Sequence, residues 1–180
     1  MNTQARMLKG SSTLAKEIDW EVAYKEYLPR VYNFFRFRVG DGTLAEDLTS
    51  TTFEKAWRGR LRFKRDLGAF STWLFTIARN VAVDYFRRYE QDLPLDAIRE
   101  PADSASLEEA VQRNHDFAQL NSLLSQLPVR EQELVAFKYG AGLNNREIAR
   151  LTRLSESNVG IILYRAVEKL RLGMDVSHER

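Results

Sequence analysis

The sequence predicts an all-α protein, built as two small helical domains joined by an acidic linker. Three observations carry this. Apolar residues recur at helical three- and four-residue steps along most of the chain. No run alternates in the manner of a strand, and the 9 glycines and 4 prolines fall mostly at expected breaks. At 180 residues the chain has room for one domain or two small ones.

The first helix is expected from about Asp19 to Val39, with Trp20, Tyr24, Tyr27, Val31, Phe34, Phe35 and Val39 as its inward stripe and with Pro29 either kinking it or ending its first part. Gly40-Asp41-Gly42 breaks it. Thr43 and Glu46 have the spacing of a capping box, opening a second helix to about Trp57 that buries Leu44, Leu48, Phe53, Ala56 and Trp57. A basic loop then leads to a third helix from about Phe70 to Tyr89. Leu93-Pro94 ends that unit. The segment 91–105, with Pro94, Pro101 and many acids, reads as linker. Ser106 and Glu109 form a second capping-box pattern, for a helix to about Gln126, and Pro128 suits the start of another ending near Gly140.

The C-terminal end has the spacing of a helix-turn-helix. Asn144 caps one short helix, Thr152-Arg153-Leu154 turns, and Ser155 caps the next. Ile148, Leu154, Val159 and Leu163 fill the angle between the two helices, small Ala149 lets them approach, and Ala166 and Leu170 continue the stripe. The second helix of such a unit lies in the DNA major groove. A plain helical hairpin has the same outline.

Net charge is only +2, yet it is unevenly spread. Residues 58–89 hold eight basic side chains against two acidic ones. Residues 90–110 hold seven acids against one arginine, and 144–172 six basic residues against three acids. Two basic blocks flanking an acidic one suit a partner that carries phosphates. Solvated helix faces are the bland alternative. There is no cysteine, and no phosphate-binding glycine loop, metal-ligand cluster or nucleophile elbow, so an enzyme is not expected and neither is a cofactor or metal. His115 and His178 stand apart and read as surface residues. No stretch reaches the roughly 18 apolar residues of a membrane span, and the start of the chain lacks a signal-peptide core. A cytoplasmic protein is the expectation.

Two residue sets carry a family resemblance. Leu127-Pro128-Val129-Arg130-Glu131, with Gly142-Leu143-Asn144 and Glu147-Ile148-Ala149, resembles region 4 of bacterial sigma factors, and is similar too to the DNA-binding domain of LuxR-type regulators. Ala45-Glu46-Asp47-Leu48-Thr49 through Phe53-Glu54-Lys55-Ala56-Trp57, then Phe70 to Asn80 and Asp84-Tyr85-Phe86-Arg87-Arg88, closely resembles region 2. Both sets in this order resemble a sigma factor of the extracytoplasmic-function (ECF) group. The resemblance implies a tail (1–18), region 2 (19–90), an acidic linker (91–114), region 4 (115–175) and a short tail (176–180).

It further implies a set of contacts. Glu46, Asp47, Ser50, Thr51 and Glu54 would dock on the β′ coiled coil of core RNA polymerase, whose β subunit is a further expected partner. A Gln-acid pair is usual where Ser50 and Thr51 stand. Arg60, Arg62, Lys64, Trp73, Arg79, Asn80, Asp84, Arg87 and Arg88 would engage the promoter −10 element, where rings stack on single-stranded bases and cations hold the backbone. Trp73, sharing a four-residue step with Ile77 and Val81, is equally a core residue by spacing. Arg146, Arg153, Ser155, Ser157, Asn158, Gly160, Ile161, Tyr164 and Arg165 would engage the −35 element. Gly160-Ile161-Ile162 departs from the basic or hydroxyl residues usual there, so phosphate and shape contacts are expected to dominate, with Ile161 against a thymine methyl. An anti-sigma partner, often membrane-attached, and a stress or envelope response also follow from the resemblance. A stand-alone helix-turn-helix regulator of duplex DNA is the competing expectation.

Overall fold

The computed structural model describes residues 18–63, 69–92 and 108–178. Among them are seven α-helices and no strand: α1 (Trp20–Val39), α2 (Gly42–Gly59), α3 (Phe70–Asp92), α4 (Glu108–Ser125), α5 (Val129–Val135), α6 (Asn145–Thr152) and α7 (Glu156–His178). A 3₁₀ turn (Arg60–Arg62) follows α2, and a π-turn (Ala136–Gly140) follows α5. The N-terminal tail up to residue 17, Lys64, Ser106 and most of the expected linker lie outside the described residues. Helix enters both ends of the linker segment, since α3 reaches Asp92 and α4 is present from Glu108.

Local sequence explains most of the boundaries. The Asp19 carboxylate accepts the amides of Glu21 and Val22, satisfying two of the orphan donors that open α1. The helix runs unbroken through Pro29, which lies on its exposed side. Gly40 ends it at φ 78°, a left-handed conformation that favours glycine, and donates its amide to the Arg36 carbonyl. The expected Thr43–Glu46 capping box does not open α2. Asp41, two residues earlier, is the cap, accepting the Leu44 amide at 2.6 Å. Its carboxylate reaches that donor directly after the glycine turn, which leaves Thr43 inside the helix.

Burial follows the predicted stripes with two exceptions. Val31, Phe34 and Phe35 of α1, and Val159, Leu163, Ala166 and Leu170 of α7, are all buried. Tyr24 and Trp57, expected inside, are 47% and 51% exposed. Each instead lies on the rim, Tyr24 edge-on to Phe53 at 4.8 Å and Trp57 edge-on to Trp20 at 5.4 Å. The buried hydroxyls of Thr49 and Thr52 donate to the carbonyls of Ala45 and Leu48, four residues back.

The two halves share one hydrophobic core. It runs from Val31, Phe34 and Phe35 of α1 through Leu74 and Phe75 of α3 to Leu134, Phe137, Ile148 and Val159. The π-turn makes this possible. Its closing bond, from the Ala141 amide to the Ala136 carbonyl at 2.9 Å, spans five residues and widens the helix end against α1. Gly140 sits so near α1 that a Cβ there would meet the Asn33 carbonyl oxygen at 2.8 Å.

Candidate polymerase and nucleic-acid interfaces

On α2, Glu46, Asp47, Ser50 and Glu54 are exposed, while Ala45, Leu48, Thr49, Thr52, Phe53 and Ala56 turn inward. The helical period thus gathers the acids on a face that no other described element covers. Thr51 is half-buried and its hydroxyl donates to the Asp47 carbonyl. Glu54 pairs with exposed Arg58 one turn on, a contact worth at most about 0.5 kcal/mol in water and easily exchanged for a partner.

At the end of α2 an aromatic cluster forms. Trp73 is half-buried among Phe63, Phe70 and Trp20, with ring centroids at 5.1, 5.6 and 6.3 Å. Phe75, on the same helix, is wholly buried. Beside the cluster, the Arg60 guanidinium lies 4.0 Å over the exposed Trp57 ring and donates to the Trp57 carbonyl. The side chain of Arg62 and all of Lys64 lie outside what is described.

The outer face of α3 carries Asn80, Arg87 and Arg88, all exposed. Asp84 is held between Arg87 at 3.2 Å and Lys55 of α2 at 3.7 Å. Arg79 is the exception. Its guanidinium forks onto Glu133 of α5, with Nε to Oε1 at 2.7 Å and Nη2 to Oε2 at 3.2 Å, and Nη1 reaches the Leu151 carbonyl at the end of α6. The hydrogen bond from Glu133 raises its pKa above the already high ordinary value, against the opposing effect of burial.

The C-terminal hairpin has the expected caps. Asn144 and Glu147 exchange side-chain and backbone bonds of 2.9 Å each, a complete capping box. Arg153 turns the chain at φ 58°, the one non-glycine residue at positive φ among the described residues. Ser155 accepts the Asn158 amide and opens α7. Ile148, Val159 and Leu163 are buried between the helices and Leu154 is half-buried. The exposed face of α7 then presents Ser157, Asn158, Ile161, Tyr164 and Arg165, with Gly160 half-buried beside them. Arg146 is exposed and pairs loosely with Glu156 at 3.7 Å.

Of the predicted residues the structure describes, most lie on three exposed faces, Thr51, Arg60, Trp73, Asp84 and Gly160 are half-buried beside them, and Arg79 is drawn inward onto Glu133. Sequence reading missed Lys55, Val83 and Glu133. Val83, 52% exposed, was findable from its three- and four-residue spacing to Asn80 and Arg87. Glu133 had no local signal. Among the described residues no cluster of His, Asp or Glu suits a metal ion, and no helix is long and apolar enough to cross a membrane.

This fold and these faces define an all-helical DNA-binding protein with a helix-turn-helix at one end. Comparison with known proteins sharpens the class. Residues 23–91 match sigma-70 region 2, and residues 117–170 match sigma-70 region 4. The chain is 32% identical to the RNA polymerase sigma factor CarQ of Myxococcus xanthus, covering 84% of this chain and 87% of that one. It is 28% identical to the ECF sigma factor SigM of Bacillus subtilis, covering 82% and 90%. The match to the ECF sigma factor BldN of Streptomyces coelicolor, 33% identical, takes in 82% of this chain and 57% of that longer one. The fold resembles the sigma factor RpoE of Bartonella quintana, solved in complex with the anti-sigma factor NepR, with a TM-score of 0.66 at 21% identity over 88% of this chain and 98% of that one. It also resembles CnrH, solved in complex with the cytosolic domain of CnrY, with a TM-score of 0.62 at 22% identity over 87% and 86%. The chain belongs to the ECF group of RNA polymerase sigma factors.

Proposed function

We propose that this chain binds core RNA polymerase, directs it to a set of promoters and helps open the DNA there, with no catalytic step of its own. The observation that carries the reading is the presence, on one chain, of an exposed acidic face on α2 and two exposed nucleic-acid faces on α3 and α7. Glu46, Asp47, Ser50 and Glu54 dock on a basic surface of the polymerase, with Thr51 at the edge. Asn80, Arg87 and Arg88 hold the −10 strand, and Trp57, Arg60 and the edge of Trp73 offer rings and a cation to bases that leave the duplex. On α7, Ser157, Asn158, Tyr164 and Arg165 touch phosphates and base edges of the −35 duplex while Ile161 meets a methyl group, and Arg146 and Arg153 add phosphate contacts. The protein works in the cytoplasm, where an anti-sigma factor holds it until a signal arrives.

The test is transcription in vitro from a fragmented genome, with core polymerase alone and with this chain added, and start sites mapped. New start sites sharing two upstream elements are expected. Duplex binding without a polymerase complex or new transcripts would mark a stand-alone regulator instead.

A further inference from the structure

Asp84 of α3 stands in a face otherwise rich in cations, and it is braced from two sides. Its Oδ1 accepts from Nη2 of Arg87, three residues on, at 3.2 Å. Its Oδ2 faces Nζ of Lys55 on α2 at 3.7 Å. One carboxylate thus gathers a cation from each of two helices, one on each oxygen. Both cations stay open to solvent, Lys55 with 48% and Arg87 with 65% of the side chain exposed. Exposed Asn80 lies one turn before Asp84 and exposed Arg88 one turn after it, so the three charges sit within the outer face of α3.

Lys55 is set apart from the acids beside it in the chain. Successive helical residues point about 100° apart, so Lys55 leaves the face of Glu46, Asp47, Ser50 and Glu54. It lies one turn beyond half-buried Thr51, at the border with α3. Glu54 takes Arg58 as its partner, and Lys55 is left to Asp84. The two pairs around Asp84 add little to stability, since water already solvates partners this exposed. Their geometry does more. A lysine ammonium carries three donor hydrogens and a guanidinium five, and Asp84 faces only one nitrogen of each cation. The remaining donors are left for another anion. Gathered on one carboxylate, the two cations are also pre-placed for the two free oxygens of a single phosphate diester.

We propose that Lys55 is a DNA-contacting residue, and that Asp84 is the positioning residue that holds it and Arg87 as a two-cation clamp on one phosphate of the −10 strand. The clamp rests on the proposed sigma function. It extends the DNA face from α3 onto α2, so that one helix meets the polymerase with its acids and the promoter with its lysine. Both Asp84 oxygens already face cations, so its part is to hold them rather than to accept from a base. The sign of one substitution separates this role from a bystander's. An acid merely lying among phosphate-binding cations repels DNA, and its removal tightens binding. An acid that positions those cations weakens binding when removed, although the face then carries one more positive charge.

The test uses the full chain with core polymerase and a dye-labelled promoter duplex, mismatched over the −10 element so that the strand is already open. Each phosphate of that strand is replaced in turn by an uncharged methylphosphonate. With the native chain, replacing the clamped phosphate is expected to weaken binding by about fivefold, the upper range for an exposed ion pair. Lys55→Ala is expected to weaken binding of the unmodified duplex by a similar factor and to lower the salt slope by about one counterion. It should also erase the effect of that one replacement and keep the effect of the others. Asp84→Ala and Asp84→Asn are expected to weaken binding by roughly threefold, against the change in charge, and to blunt the same replacement. Far-UV circular dichroism checks the fold, and if Asp84→Ala loses it, Asp84→Asn and Lys55→Ala decide. Tighter binding by either Asp84 variant overturns the positioning role. A Lys55→Ala chain with the native phosphate profile and salt slope overturns the clamp. So does a Lys55→Ala chain that loses affinity for core polymerase without DNA, since the lysine then belongs to the polymerase face. A native chain that forms no polymerase–promoter complex removes the sigma reading itself, whereas a native complex indifferent to Lys55 removes the clamp alone.

Discussion

Phe34 of α1 and Phe137 of the π-turn lie nearly parallel, their ring centroids 4.8 Å apart and their planes 19° from coplanar. Phe75 of α3 meets both edge-on, at 6.1 and 6.4 Å. All three are fully buried, and they come from three different helical segments of two different sequence regions. The stack is therefore both core and joint. Phe137→Ala is expected to cost about 3–5 kcal/mol, the usual result of emptying a buried phenylalanine site. Urea unfolding followed by circular dichroism measures it. Because the core is continuous, the native chain is expected to unfold in one transition and the substituted chain to separate into two.

Arg153 holds a conformation that costs a side chain roughly 1 kcal/mol and costs glycine nothing. Arg153→Gly is expected to stabilise the C-terminal half by about 0.5–1 kcal/mol, read as a higher melting temperature. The same substitution removes an exposed cation beside the recognition helix. Binding to promoter duplex is therefore expected to weaken, and its dependence on salt to become shallower by about one counterion. Stability and affinity should move in opposite directions. Equal affinity in the two proteins at low salt would show that Arg153 meets no phosphate.

What the sequence disclosed, and what it withheld, divides along a physical line. Caps and stripes are local, so Asn144, Ser155 and the run Val159, Leu163, Ala166, Leu170 were legible from spacing alone. The partner of each stripe is not local. The breadth of the α1 stripe signalled burial of Phe34 and Phe35, yet nothing in the period indicated that one side would face α2 and the other the π-turn. Gly140 read as a stop, whereas its missing side chain is what admits the backbone of α1. Arg79 looked like one more cation of a basic block, because the acid that takes it lies 54 residues away. Trp57 failed for a different reason. It stands at the last turn of α2, where the stripe runs past the edge of the core and an apolar ring is left half in water.

Tyr27 gives the chain an alkaline limit. Its ring packs edge-on to Phe70 at 5.2 Å with the Arg30 guanidinium 4.9 Å away. Burial, helped by the charge of Glu26, pushes its phenol above the ordinary 10.0, although Arg30 acts in the opposite sense. The folded state therefore holds this proton more tightly than the unfolded state does. Its contribution is fully present below about pH 10 and is lost as pH rises through the raised value. Denaturant midpoints measured across that window are expected to fall with pH. The fall should be shallower in Tyr27→Phe than in the native chain, the two being compared because lysines titrate there too. Parallel curves would mean that the phenol titrates alike in both states.

The outward face of α7 lacks the row of cations that would favour guanine, and places Ile161, 48% exposed, between Asn158 and Arg165. In the major groove an aliphatic side chain distinguishes thymine by its methyl group. Replacing thymine by deoxyuridine removes that methyl and leaves every hydrogen-bonding edge unchanged. At one position of the −35 element this replacement is expected to weaken binding by about fourfold, the worth of roughly 0.8 kcal/mol for one buried carbon. Ile161→Ala is expected to remove the difference between the two bases at that position and to leave all others unaltered. Arg165→Ala, by contrast, should weaken binding at every sequence alike, since a phosphate contact carries no base information. Electrophoretic shift titrations with a singly substituted set of duplexes separate these outcomes. A native chain indifferent to deoxyuridine at every position would remove Ile161 from base reading and leave α7 dependent on phosphates and groove shape alone.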